Sequence, residues 1–431
     1  MTTARLVAID ALVRIDEGAY AHVVLPAMLR DTTLDDRDRA FATDLVYGTV
    51  RAQRRVDDLV ERASSRPIRR LDPPVRAALR MGAYQLVQGV PAHAAVGETV
   101  KALVARSPRA RGFANGVLRG ITRLGPPYPE PVSEAIALSY PDWLVDRLTT
   151  ELGAERAHAA LVAMNEPAAV TLRVNPRRGN PSGVGTEIAR AGGKVEAGRL
   201  VETSLVVRGI GDPARLPAVR DGRATPQDQG SQAVIAVLDP QPGERIADLA
   251  AAPGGKATAI AEHVGDEGAV VAVDVDAGRV RLIEEAVERL RLPNVVCVVA
   301  DGRDLPVDIG IFDRVLLDAP CSGIGVLRRR PDARWRLQPD VIPELAALQR
   351  ELLAAAATLV RPGGTLAYSV CTLTREETVD IDEWAAEHLP DFTALAPPGE
   401  PWVPHGRGAL LLPDAAGTDG MFVLTLTLAS E

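Results

Sequence analysis

The chain has 431 residues, 46% of them apolar and 25% charged, with a formal net charge of −8. That length holds two or three domains with a sizeable core, and the composition is that of an ordinary globular protein. No apolar run approaches the roughly 20 residues a membrane span needs. Met1 to Arg5 leads into a charged amphipathic helix rather than a signal peptide. Three cysteines give no disulfide framework, so a reducing cytoplasm is the expected location.

Residues 1–125 read as all-helical. Leu6, Ile9, Leu12 and Val13 form an apolar stripe at near-helical spacing, as do Phe41, Leu45, Val46 and Val50, then Val75, Leu79 and Leu86. Breakers at Pro67, Pro73-Pro74, Pro91 and Pro108 separate the helices. Residues 1–130 hold 20 Lys+Arg against 14 Asp+Glu, although the whole chain is acidic. This basic first region is compatible with a polyanion, and equally with an ordinary solvated surface. The run from Gly125 to Pro131 is a proline-rich joint.

The expected domains are therefore 1–131, helical; 132–225, a small α+β segment with a helix from Pro141 to Leu152 and a strand from Val170 to Val174; and 226–431. In the last, strands are predicted at 245–250, 269–274, 295–300, 312–318 and 364–370. Helices lie between them at 256–264, 277–291 and 342–360. Strand alternating with helix argues a parallel, doubly wound sheet, with later strands near 408–412 and 420–427 at its antiparallel edge.

The first of these strands runs into Asp248-Leu249-Ala250-Ala251-Ala252-Pro253-Gly254-Gly255-Lys256. Small residues there let backbone N–H groups approach a ligand at a helix N-terminus, although tight-turn packing also explains such a loop. It is neither a phosphate-binding Walker loop nor a dinucleotide fingerprint. Asp274 ends the second strand, suited to a ribose diol, and Asp301 follows the third, suited to an adenine amino group. Asp318 ends the fourth. Each acid alone reads as a cap or turn residue. Together, behind the glycine loop, they imply a nucleoside-like ligand, and S-adenosylmethionine fits better than NAD or ATP.

Two of the three cysteines lie at strand ends, Cys321 after Asp318-Ala319-Pro320 and Cys371 in Tyr368-Ser369-Val370-Cys371-Thr372. A thiolate can add to C6 of a pyrimidine, activate C5 for methylation and leave again. Cys297, within Val295 to Val299, reads as core. The cysteines and histidines have no metal spacing, so no metal is expected. The segment Arg328-Arg329-Arg330-Pro331-Asp332-Ala333-Arg334-Trp335-Arg336 adjoins the Cys321 motif. Its arginines and Trp335 suit phosphate contact and base stacking, the alternative being a solvated loop. Arg54-Arg55 and Arg69-Arg70 are further candidate phosphate contacts.

On these residues the C-terminal half resembles the RNA cytosine-C5 methyltransferases of the NOL1/NOP2/Sun family. The motifs are 248–256, Asp274, Asp301-Gly302, 318–323 and 368–372, with Gln227 to Gln232 similar to the family's lead-in segment. The family often has cysteine where Ala250 stands. The N-terminal region is similar to the helical RNA-binding factor NusB, through 38–48, 79–86 and 112–119. The resemblance implies a multidomain chain, with an all-α NusB-like domain, a small α+β middle domain and a class I, Rossmann-like α/β methyltransferase domain. It further implies Cys371 as the nucleophile on C6, Cys321 assisting release, and Lys256 and Asp318 near donor and base. The implied substrate is a cytosine in small-subunit ribosomal RNA, methylated by a monomer without metal or membrane. Transfer RNA as substrate, or a non-catalytic RNA-binding role in ribosome assembly, are the alternatives.

Overall fold

Thr3 accepts a hydrogen bond from the Leu6 N–H and starts the first helix, Ala4–Asp16. Its side-chain oxygen serves a donor that the first turn leaves without a helical partner. Asp35 does the same before Asp36–Arg51. Pro73 opens Pro73–Val87, at a position where a missing N–H loses no helical bond. The computed structural model describes residues 3–430, so Met1, Thr2 and Glu431 lie outside the described residues.

Two compact units emerge. The first extends to Asn165 and also takes in Arg330–Leu337. It is all-helical, with Ile9, Leu45, Leu59, Leu79, Leu103 and Leu118 excluded from water at its centre. Each such side chain contributes about 1.5–3 kcal/mol. The proline-rich joint lies inside this unit, where Arg55 donates to the Pro129 carbonyl at 2.8 Å. Helices Asp142–Leu152 and Ala154–Ala163 belong to the same unit, and the chain leaves it only after Asn165.

The second unit opens with a four-stranded antiparallel sheet of β1 (Val170–Val174), β2 (Lys194–Ala197), β3 (Ser204–Arg208) and β4 (Ala224–Pro226), in the order β2-β3-β1-β4. Helix Pro181–Arg190 packs Val184 and Ile188 against Leu172, Leu205 and Val207 of this sheet.

A larger sheet follows, built from β5 (Arg245–Leu249), β6 (Ala269–Asp274), β7 (Val295–Val299), β8 (Phe312–Asp318), β9 (Val360–Val370), β10 (Phe392–Ala394), β11 (Val403–His405), β12 (Gly408–Leu411) and β13 (Met421–Leu428). Its order is β11-β12-β13-β9-β8-β5-β6-β7, with β10 pairing β13. Strands β5 to β9 are parallel, and β13 runs antiparallel to β9. Strand order runs outward from β5 to β7, then restarts on the other side at β8. The ends of β5 and β8 therefore border a topological switch point, where open α/β sheets bind ligands.

One expectation is met in part. Cys297 is only partly buried: it packs against the core from β7, an edge strand on which Val296 and Val299 are more than half exposed. An edge strand has a neighbour on one side only, so its apolar residues lack a second covering surface.

Candidate active site

Strand register brings the two motif cysteines together. Asp318 lies opposite Ser369 across β8 and β9, and the Ala319 N–H donates to the Ser369 carbonyl at 2.9 Å. Cys321 and Cys371 follow that pair by three and two residues, and their Sγ atoms are 3.3 Å apart. The turn after Cys321 is pinned by Gly325, whose N–H donates to the Cys371 carbonyl at 2.9 Å. A Cβ at Gly325 would lie 2.1 Å from the Gly420 carbonyl oxygen, so glycine is required there.

Lys256 reaches the same place from the helix Gly255–Val264 that follows β5. Its Nζ lies 2.7 Å from Asp318 Oδ2. Burial works against this ammonium, but the charge and hydrogen bond of Asp318, helped by Cys371 and Asp248, hold it above the ordinary lysine range. Asp248 is fully buried on β5. Burial and the Asp318 charge push its carboxyl well above the usual range, against the pull of Lys256. The Cys321 thiol is also pushed well up, first by its hydrogen bond to Cys371, then by burial and by the charges of Cys371 and Glu377. These influences favour the protonated form of Cys321, whose Sγ lies 3.3 Å from Cys371 Sγ.

The glycine loop passes from β5 into the helix with Ala250 in the left-handed region, at φ 59°. Gly254 has φ 95°, and a Cβ there would press within 3.2 Å of the Ile283 backbone. Asp274 is buried and accepts hydrogen bonds from the Ala252 N–H at 3.2 Å and the Asp276 N–H at 3.1 Å. Arg279 also lies 3.4 Å from Asp274 Oδ2, and a carboxylate has about four acceptor positions, so not all of them are taken. Asp301 lies beyond β7, where its hydrogen bonds to Arg303 draw its carboxyl down to about 2. Arg303 also pairs with Glu351 at 2.9 Å. No group of three or more His, Cys, Asp or Glu among the described residues has the arrangement to hold a metal ion. No helix among them is long and apolar enough to cross a membrane.

Comparison with known proteins gives this geometry a family. The family model described as 16S rRNA methyltransferase RsmB/F matches residues 235–427. The NusB family model matches 2–123, and an RsmF/B-like ferredoxin-like domain matches 140–212. The ribosomal RNA small subunit methyltransferase B of Erwinia tasmaniensis is 34% identical over 433 residues, covering 99% of each chain. The chain belongs to the RsmB/F family of 16S rRNA methyltransferases. Among solved structures, PH0851 superposes on this RsmB/F chain with a TM-score of 0.84 at 28% identity, covering 99% of both. A methyltransferase homologue from Pyrococcus horikoshii covers 68% of the chain and 97% of its own length, with a TM-score of 0.60 and 29% identity.

RsmB/F methyltransferases draw their methyl group from S-adenosylmethionine. The residues present suit it. Ala250, Ala251, Ala252, Pro253, Gly254 and Gly255 make a wall without bulky side chains, and the N-terminus of Gly255–Val264 opens onto it. Arg173 of β1 braces this wall from behind. It is buried, pairs with Glu262 at 2.9 Å and donates to the Gly255 carbonyl at 2.6 Å.

The arginine-rich segment is the principal departure from expectation. Arg328 is buried and donates to the Glu166, Pro167 and Gly417 carbonyls. Arg334 has no exposure; it donates to Asn165 Oδ1 at 2.8 Å and the Ser139 carbonyl at 3.2 Å, and lies 3.9 Å over the Tyr140 ring. Trp335 donates to the Val50 carbonyl at 2.9 Å. Arg336 pairs with Asp332 at 2.7 Å and covers Tyr20. These four groups spend their donors inside the protein. Arg329 is exposed but near Asp228 and Asp419, at 3.4 and 3.6 Å; Arg330 is exposed. Arg54 and Arg55 are likewise occupied, with Tyr140, Asp142, Asp58 and Pro129, whereas Arg69 and Arg70 face solvent.

Two features of the site escape the sequence reading. One is the 418–420 turn. Asp228 accepts hydrogen bonds from the Thr418 hydroxyl and the Asp419 N–H, and Gly420 donates to the Gly325 carbonyl at 2.8 Å. The other is Glu377, whose Thr374-to-Glu377 spacing reads as an ordinary helix start. Its carboxylate instead points inward, toward both cysteine turns.

Proposed function

We propose that this chain methylates C5 of a specific cytosine in 16S ribosomal RNA through a covalent bond between Cys371 and C6. The observation that carries this reading is the 3.3 Å approach of two thiols beside the Lys256–Asp318 pair. One thiol can attack C6, and a second in contact with it can assist its departure.

Cys371 is the attacking group. Its Sγ lies 3.3 Å from Cys321 Sγ and close to the Lys256 ammonium. Attack forms the S–C6 bond and moves the C5–C6 electron pair toward C5 and the ring. S-adenosylmethionine, when bound, supplies the electrophilic methyl group that C5 takes up. A base then removes the C5 proton; the C–H electrons restore the C5–C6 double bond and the S–C6 pair returns to Cys371. The Cys321 S–H stabilises that departing thiolate, which gives Cys321 its role in release. Lys256 and Asp318 hold each other beside the reacting ring, where Asp318 can accept from the cytosine amino group. Ala250 to Gly255, Asp274 and Asp301 hold the donor. A target base must leave its stack to reach the thiols. The enzyme is then cytoplasmic, acting where ribosomes are made.

Bisulfite sequencing of RNA from cells lacking this gene tests the proposal. One cytosine in 16S rRNA loses protection and regains it on complementation. A change confined to transfer RNA, or no change, contradicts it.

A further inference from the structure

We propose that Glu377 is a positioning residue that holds Cys321 and Cys371 at their working separation and so sets the rate at which product leaves. Glu377 lies in the turn Arg375–Glu377, before helix Val379–His388, and is fully buried. Its Oε1 accepts from the Ser322 N–H at 2.8 Å and Gln349 Nε2 at 3.1 Å. Its Oε2 accepts from Ser322 Oγ at 2.5 Å, Thr374 Oγ1 at 2.8 Å and Thr372 Oγ1 at 3.0 Å. Ser322 follows Cys321, and Thr372 follows Cys371. One carboxylate thus grips the residue after each thiol.

A second group completes the clamp. Gln349, from helix Val341–Ala357, also donates to the Pro320 carbonyl at 2.9 Å, so Cys321 is fixed from both sides. The Tyr368 hydroxyl lies 2.9 Å from Gln349 Oε1 and 2.8 Å from the Glu377 carbonyl, locking both to β9. Among the described residues no Lys or Arg pairs with the Glu377 carboxylate, whose neighbours are neutral donors. Burying an anion without a cation is costly. The charge has a use here, because it helps to keep Cys321 protonated. A protonated Cys321, held 3.3 Å from Cys371, stabilises the departing thiolate. Loss of the clamp therefore slows release more than attack.

The inference rests on the covalent cytosine-C5 reading. Its test is Glu377→Gln in the full chain with a 16S rRNA transcript and S-adenosylmethionine. Turnover should fall about 10- to 100-fold, and a protein–RNA species resistant to denaturation should accumulate. Donor affinity, by calorimetry, should stay within about two-fold, which a general loss of fold would not allow. If the variant fails to fold, Thr372→Val removes one donor only and should also raise the trapped species. Slower turnover without more trapped species, or unchanged turnover, overturns the role of Glu377. Cys321→Ala separates the two proposals: if it traps no RNA, the covalent reading itself fails. If it traps RNA and Glu377→Gln does not, only the clamp fails.

Discussion

Two stretches of this chain lie within twenty residues of each other and are put to opposite uses. Asp318 to Gly323 carries a carboxylate and a thiol to the end of a central strand, where Lys256, Cys371 and Glu377 converge on them. Arg328 to Arg336 carries five arginines and a tryptophan, yet most of its donors end on carbonyls and carboxylates of the protein itself. Reactive groups at a switch point meet because strand register forces them to. A guanidinium, by contrast, serves a buried carbonyl as well as a phosphate. The first stretch gathers titratable groups at one strand end, and most of the second is tied into the fold.

That contrast can be broken from either side. Cys371→Ala should lower methylation by about 10³-fold or more, with donor binding kept; full turnover would remove the first stretch from the chemistry. Arg334→Ala empties a fully buried site and strands Asn165 and the Ser139 carbonyl. Urea unfolding should show a loss of about 2–4 kcal/mol. Unchanged stability with weakened RNA binding would return the second stretch to the RNA.

Asp248→Asn is a finer probe of the site. Folded Asp248 keeps its proton to higher pH than the unfolded chain does, because burial and Asp318 oppose its charge. From about pH 4 upward, the folded state therefore holds more protons, and stability falls as pH rises until the folded carboxyl also ionises. The variant loses that slope, so its Tm should fall less than the wild type's between pH 5 and 8. Parallel profiles would place no such proton on Asp248. The smallest effect belongs to Arg330→Ala. Stability should not change, while RNA affinity falls about three- to ten-fold and its salt dependence drops by about one charge. Loss of stability instead would make even this exposed arginine structural.

Much of the catalytic half was legible in the sequence because strands, helices and ligand loops follow one another in a fixed rhythm. The predicted strand ends at Asp274 and Asp318 match β6 and β8. Both Cys321 and Cys371 read as lying at strand ends, but their contact depends on Asp318 facing Ser369, a register that no local pattern states. Glu377 was hidden because a Thr and a Glu three residues apart start helices far more often than they clamp two turns. The arginine segment misled because residue type does not reveal whether a partner waits inside the protein. Tyr140, Asn165 and Val50 are distant in sequence, and only the fold delivers them.

The central chemical claim is which sulfur bonds to the base. RNA carrying 5-fluorocytosine at the target position cannot shed its C5 substituent as a proton, so the S–C6 bond should persist after methyl transfer. Peptide mapping of that trapped species should find the nucleotide on Cys371. A nucleotide on Cys321, or methylation of normal RNA with no trapped species from the fluorinated one, would contradict it.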